Sequence, residues 1–447
     1  MAFRKDFAWG AATSAIQIEG YSTADGGGES VWDEFCRRDG AVACGDSIGA
    51  ACDSYHRYKE DIALIESMGL KNYRFSTSWA RIDPQGDGNW NEAGLAYYDA
   101  LVDALSEKGI RPWMTLHHWE LPLALERQGG WLNEKTAEAF GRFAGMMAEH
   151  FKGRVMDYFT INEIECIIGL GFDLGLHAPG KKLPIDGVFT AWKNLMLAHG
   201  KAGRAIRSAD PAAQIGIVST GRLCWPREEK DTDAARREMF TLYDNDWTFT
   251  HNIVLDAACF GKLPTTEGTR LHELTGEITA EEWEIMHFAP DVIGLNLYNG
   301  HEIYADENGE PRYCPKYAGF PRTSLKWPVT PRIMDDSVGF IYERYKKPIC
   351  ISECGLSCTD WVHLDGKVHD PERIDFLHRY LAALSDCAER ADIRGFFHWS
   401  LMDNFEWHSG YTERFGLVYV DYPTGARIPK DSAAWYAETV RENGKNL

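Results

Sequence analysis

Two glutamates, Glu163 and Glu353, each stand at the end of a short apolar run. Residues 158–163 read YFTINE and residues 348–355 read PICISECG. The second run is rich in β-branched residues, opened by a proline and closed by a glycine, and both predict buried strands. In a closed barrel of parallel strands the carboxyl ends of the strands face the active site. A lone strand-end glutamate is most simply a solvated or salt-bridged residue. Two of them, one preceded by the amide of Asn162, suggest a carboxylate pair, which glycosidic bond cleavage requires.

The elements that must hold such a pair recur along the chain. Short β-rich runs occupy residues 7–13, 71–77, 111–118, 158–163, 214–220, 291–298, 348–354 and 395–402. Amphipathic stretches lie between them: Tyr55, Tyr58, Ile62 and Ile65 recur at helical spacing, as do Phe376, Leu377, Tyr380, Leu381 and Leu384. Eight strands alternating with helices predict an α/β chain folded as one (β/α)8 TIM barrel. No linker or low-complexity segment interrupts residues 1–447, so a single catalytic domain is expected. Residues 221–290 should hold two or more helices, and residues 299–330 are rich in Pro, Gly and aromatics without period. Extended loops like these shape the entrance at the carboxyl end of a barrel.

Composition narrows the partners. The net charge of −20 argues against nucleic acid and anionic membranes, which reward Lys and Arg, and suits a neutral small-molecule substrate. Sixteen tryptophans serve either core filling or the flat C–H faces of sugar rings. The first residues contain no apolar segment of signal-peptide length, and no later run approaches a membrane span. Eleven scattered cysteines without a CxxC pair suggest a reducing cytoplasm. His117 and His118 form the one adjacent histidine pair and lack companions at metal-ligand spacing, so neither metal nor cofactor is expected.

The chain resembles glycoside hydrolase family 1, the β-glucosidase family, over nearly its whole length. The matching pieces are FAWGAATSAIQIEG at 7–20, YRFSTSWARI at 73–82, TLHHWELP at 115–122, TINE at 160–163 and IGLNLY at 293–298. ISECG at 351–355, HWSLMDNFEW at 398–407, RFGLVYVDY at 414–422 and PKDSAAWY at 429–436 complete the series. The resemblance implies a retaining β-glycosidase, a β-glucosidase first, with β-galactoside and β-fucoside hydrolysis left open. It casts Glu163 as general acid/base and Glu353 as nucleophile, supported by Arg74, Asn162 and Tyr298. It assigns sugar contacts to Gln17, His118, Asn162, Trp399, Glu406 and Trp407, with Phe415 near the primary hydroxyl and Trp327 on the aglycone side.

The family's 6-phospho-glycosidases lack a carboxylate at position 406 and carry a phosphate clamp near 412–415. Here Glu406 is present and the stretch reads Thr412-Glu413-Arg414-Phe415, so the resemblance implies an unphosphorylated substrate. The chain departs from the family's pattern at His117, Glu120, Ile164 and Cys354. Beside Glu353, the Cys354 thiol is expected to act as a small packing group kept protonated by the negative field. Transglycosylation through the same site and a catalytically silent binding role are the alternatives; a silent relative would be expected to lack Glu163 or Glu353. Self-association is compatible with the sequence, which fixes no oligomeric state.

Overall fold

A computed structural model describes residues 3–447. Eight parallel strands close into a barrel: β1 (Ala8–Ala12), β2 (Asn72–Ser76), β3 (Arg111–His117), β4 (Asp157–Asn162), β5 (Gln214–Ser219), β6 (Val292–Asn296), β7 (Ile349–Cys354) and β8 (Ile393–Trp399). Each pairs with its neighbours in chain order, and β1 pairs with β8 to shut the ring, Ala12 facing Trp399. Every predicted strand lies in the barrel, with no end shifted by more than three residues. Residues 400–402 leave the last strand, because the chain turns there into the loop that carries Glu406.

The strands read as continuous apolar runs because both faces are covered. Trp113, Phe159, Val218, Val292, Cys350 and Phe397 fill the barrel interior. Outward residues pack against the surrounding helices, as the spacing predicted. Phe376, Leu377, Tyr380, Leu381 and Leu384 are all buried on the helix Pro371–Cys387. On Ser54–Ser67, Ile62 and Ile65 are buried while Tyr55 and Tyr58 are half-buried.

The strands bearing the two glutamates break register just before them. On β4 the pairing with β5 shifts between Phe159 and Asn162; on β7 the pairing with β6 shifts between Ile351 and Glu353. Such irregularities re-aim side chains. On β7, Ser352 bonds Asn296 and Glu353 bonds Arg74, while Cys354 packs into the outer core. Gly355 follows immediately, where an added Cβ would lie 1.8 Å from the carbonyl oxygen of Trp399. Only glycine lets the ends of β7 and β8 come that close.

The region 221–290 carries four helices, Thr232–Phe240, Asn252–Phe260, Arg270–Gly276 and Ala280–Met286. The aperiodic stretch 299–330 contributes strands His301–Ala305 and Pro311–Tyr313, which join Cys224–Pro226 in a small sheet. These strands were not expected. They are three to five residues long, too short for a period to register. The hairpin Val418–Asp421 with Ala426–Pro429 was missed likewise. Among the described residues, no helix is long and apolar enough to cross a membrane.

Candidate active site

Glu353 ends its strand against a guanidinium. Arg74 Nη1 donates to Glu353 Oε1 at 2.6 Å, and Tyr298 Oη donates to Oε2 at 2.7 Å. Arg74 is fully buried and spends three more donors on Asn162 Oδ1 (2.7 Å), Thr115 Oγ1 (3.1 Å) and the Ser352 carbonyl (3.2 Å). A buried charge is tolerated when paired and hydrogen-bonded, as this one is at all three guanidinium nitrogens. Burial raises the Glu353 pKa, but the Arg74 charge and hydrogen bond, then Tyr298, oppose the rise.

Glu163 stands directly after β4 with φ +50°, a left-handed conformation uncommon outside glycine. Its backbone N–H donates to the Val218 carbonyl at 2.9 Å, tying the turn to β5. Its Oε1 accepts from Asn296 Nδ2 at 2.8 Å. It forms no ion pair among the described residues, though the Arg74 charge acts on it weakly. Burial pushes its pKa up to about 8, and the Glu353 carboxylate adds to the shift. Of two coupled acids, the one against Arg74 ionises first, leaving Glu163 protonated near neutrality.

Asn296 joins the two. It donates to Glu163 and, at 3.1 Å, to Asn162 Oδ1, while accepting from Ser352 Oγ at 2.7 Å. With Asn162 Oδ1 accepting from Arg74 and Asn296, the Asn162 amide nitrogen faces His118 Nε2 at 3.3 Å. That nitrogen must then accept, so Nδ1 carries the proton. His118 Nδ1 is buried with no protein partner, and burial holds the ring neutral, with a donor to offer. The ring lies parallel to Trp399 and Trp407, with centroids 5.7 and 5.9 Å away.

These groups open on a cavity of about 730 Å³. His118, Glu163, Tyr298, Trp327, Glu353, Trp399, Glu406, Trp407 and Phe415 all line it. The Glu406 carboxylate makes no hydrogen bond to the described residues, and burial, then Glu353, Glu413 and Glu163, push its pKa up to about 8. Arg74 and Asn162 lie beneath the wall and act through Glu353 and His118. Gln17 is also off the wall. Its amide donates to Asn404 Oδ1 (3.0 Å) and the Phe405 carbonyl (2.7 Å) and accepts from Ser14 Oγ (2.5 Å). These bonds brace the segment before Glu406 and leave one Oε1 lone pair unused.

Among the wall residues that escaped the sequence reading are Asn296 and Trp119. Asn296 lies in the IGLNLY run two positions before Tyr298, where an amide in an apolar strand end was the available signal. Trp119 has φ +79°; its indole N–H donates to the Asn162 carbonyl at 3.0 Å, and its ring stacks on Trp407 with centroids 4.3 Å apart. The arrangement can protonate a leaving oxygen from Glu163 while offering an ionised carboxylate at Glu353.

Comparison with known proteins agrees with this chemistry. The family model described as "Glycosyl hydrolase family 1" matches residues 1–445. The chain is 38% identical over 444 residues to "Beta-glucosidase A" of Thermotoga maritima, covering 99% of this chain and 98% of that protein. It is 36% identical to "1,4-beta-D-glucan glucohydrolase" of Thermotoga neapolitana, covering 99% of each. Among solved structures, "Beta-glucosidase from Thermotoga maritima in complex with glucoimidazole" superposes with a TM-score of 0.88 at 38% identity, covering 99% of both chains.

Proposed function

The chain belongs to glycosyl hydrolase family 1 and is a glycoside hydrolase, and on that footing we propose that it is a retaining β-glucosidase in which Glu353 is the nucleophile and Glu163 the acid/base. The observation that carries this reading is the asymmetry between the two carboxyls: Arg74 and Tyr298 hold Glu353, whereas Glu163 forms no ion pair among the described residues and keeps its proton to about 8.

In the first step a Glu353 oxygen attacks the anomeric carbon as the bond to the leaving oxygen breaks, and Glu163 gives that oxygen its proton. The product is a glycosyl ester on Glu353. Its formation removes the negative charge that helped keep Glu163 protonated, so Glu163 is now ionised and can act as a base. In the second step water attacks the same carbon, Glu163 takes a water proton, and the ester bond breaks to restore Glu353. Two inversions at one carbon give net retention.

Recognition falls to the cavity wall. Neutral His118 offers a donor, Glu406 an unsatisfied carboxyl, and Trp399 an apolar face. A hydroxyl-rich ring needs such fixed partners, since each polar group left unpaired in a dry site costs roughly 1–3 kcal/mol. A sugar phosphate at Glu406 would meet the Glu413 charge that already helps hold the Glu406 proton, which supports an unphosphorylated substrate. The same reading takes residues 1–447 as one catalytic unit. Eleven unpaired cysteines support a reducing cytoplasm as its setting.

The test is the stereochemistry of the first product. An NMR time course on an aryl β-glucoside should show β-glucose before mutarotation. Initial α-glucose would mean direct attack by water and would overturn both carboxyl roles.

A further inference from the structure

The insertions after β5 and β6 build one arm of the cavity wall. Thr220, Arg222, Asp246, Asn299, His301 and Tyr313 line it, the last two carried by the small sheet. We propose that this arm holds the leaving group and selects for one that is uncharged or cationic and rich in hydrogen-bond donors, rejecting carboxylates and phosphates. The proposal rests on the glycosidase reading above and names the substrate class that reading leaves open.

Charge on the arm is set by one cluster. Among the described residues the cavity wall carries four carboxyl side chains, but Glu163 and Glu406 keep their protons to about 8, which leaves Glu353 beside Arg74 and Asp246 beside the one Lys or Arg on the wall, Arg222. That guanidinium is already engaged. Nη1 donates to the Glu238 carbonyl (2.7 Å) and the Thr241 carbonyl (3.3 Å), and Nη2 to Asp246 Oδ2 (2.7 Å) and the Asp246 carbonyl (3.1 Å). The Glu238 carboxylate stands 3.4 Å from Nη1 and is held in turn by Tyr313 Oη at 2.5 Å and Tyr243 Oη at 3.0 Å. One cation thus faces two carboxylates, and the cluster is left one negative charge. Lys316 acts on His301 through its charge, but it packs over Trp225 and sits beside Glu302.

The charged group left for a ligand is an acceptor. Asp246 Oδ1 has no partner among the described residues while Oδ2 is bonded, and the Asp246 side chain is 54% exposed. The Asn299 amide is half-buried on the wall and makes no hydrogen bond to the described residues, and partial desolvation, then the Lys316 and Arg222 charges, lower the His301 pKa. An amine or hydroxyl finds acceptors here. An anion meets the uncompensated charge while both amino groups of Arg222 are already engaged, and juxtaposed like charges are a recognised means of excluding partners.

Three β-glucosides with matched phenols test this, bearing aminomethyl, hydroxymethyl or carboxymethyl groups at the para position. The methylene insulates the leaving oxygen, so the phenols leave alike and only the arm sees the difference. The amine and alcohol should exceed the carboxylate in kcat/KM by roughly tenfold or more. The gap should shrink in about 1 M salt, where the screening length falls to roughly 3 Å. Asp246→Asn should also narrow it, by leaving Arg222 with one carboxylate instead of two. Sulfur-linked versions of the same compounds, titrated for Kd, should give the same order without turnover. If the carboxylate binds and reacts as well as the alcohol, the proposal falls. If the alcohol is not hydrolysed at all, the glycosidase reading falls, and the Kd order still judges the arm.

Discussion

Both Glu163 and Glu353 are buried, so depth does not separate them; their neighbours do. Arg74 stabilises the ionised form of Glu353, while Glu163 feels burial first and the Glu353 charge second. The pH–rate profile should therefore be bell-shaped. As pH falls, Glu353 takes a proton and loses its nucleophilic lone pair; as pH rises past about 8, Glu163 loses the proton it must donate. The coupling has a sign that can be checked. Glu353→Gln removes a negative charge, so the Glu163 pKa should drop, read by NMR titration of side-chain carboxyl carbons. An unchanged value would mean that the two groups do not interact.

At the scale of elements, β4 and β7 each lose register beside the residue they deliver, which separates what faces the site from what faces the helices. Cys354 shows the consequence. The negative field of Glu353 was expected to raise its pKa; burial alone raises it, because the thiol lies in the outer core beyond the shift. Cys354→Asn should bury an amide without partners and cost roughly 1–3 kcal/mol of stability. It should lower Tm while leaving the ratio of kcat/KM between leaving groups unchanged. A changed ratio at unchanged Tm would put residue 354 at the site after all. The eight barrel strands were legible because both their faces are covered and their runs are continuous. The small sheet was not, since pairing with neighbours rather than internal pattern holds its strands. Gln17 was legible as a residue but not as a brace, because its partners Asn404 and Phe405 lie 387 and 388 positions away.

For the molecule as a whole, closure of β1 on β8 brings the two ends of the chain into one ring, and the insertions after β5 and β6 complete one wall of the cavity. The carboxyl pair was legible from strand ends and family resemblance. The resemblance also split their roles and named Arg74 and Tyr298, whereas the Asn296 bond to Glu163 was not legible, because that amide comes from another strand 133 positions away. The central claim is that a covalent bond to Glu353 lies on the reaction path, and mass spectrometry of the intact chain tests it most directly. A 2-fluoro-β-glucoside with a good leaving group slows both steps but leaves the second slower, so the ester should accumulate. The protein should gain one fluoroglucosyl unit, and after proteolysis the label should lie on the peptide containing Glu353. A label on Glu163, or inactivation without any mass gain, would contradict the account.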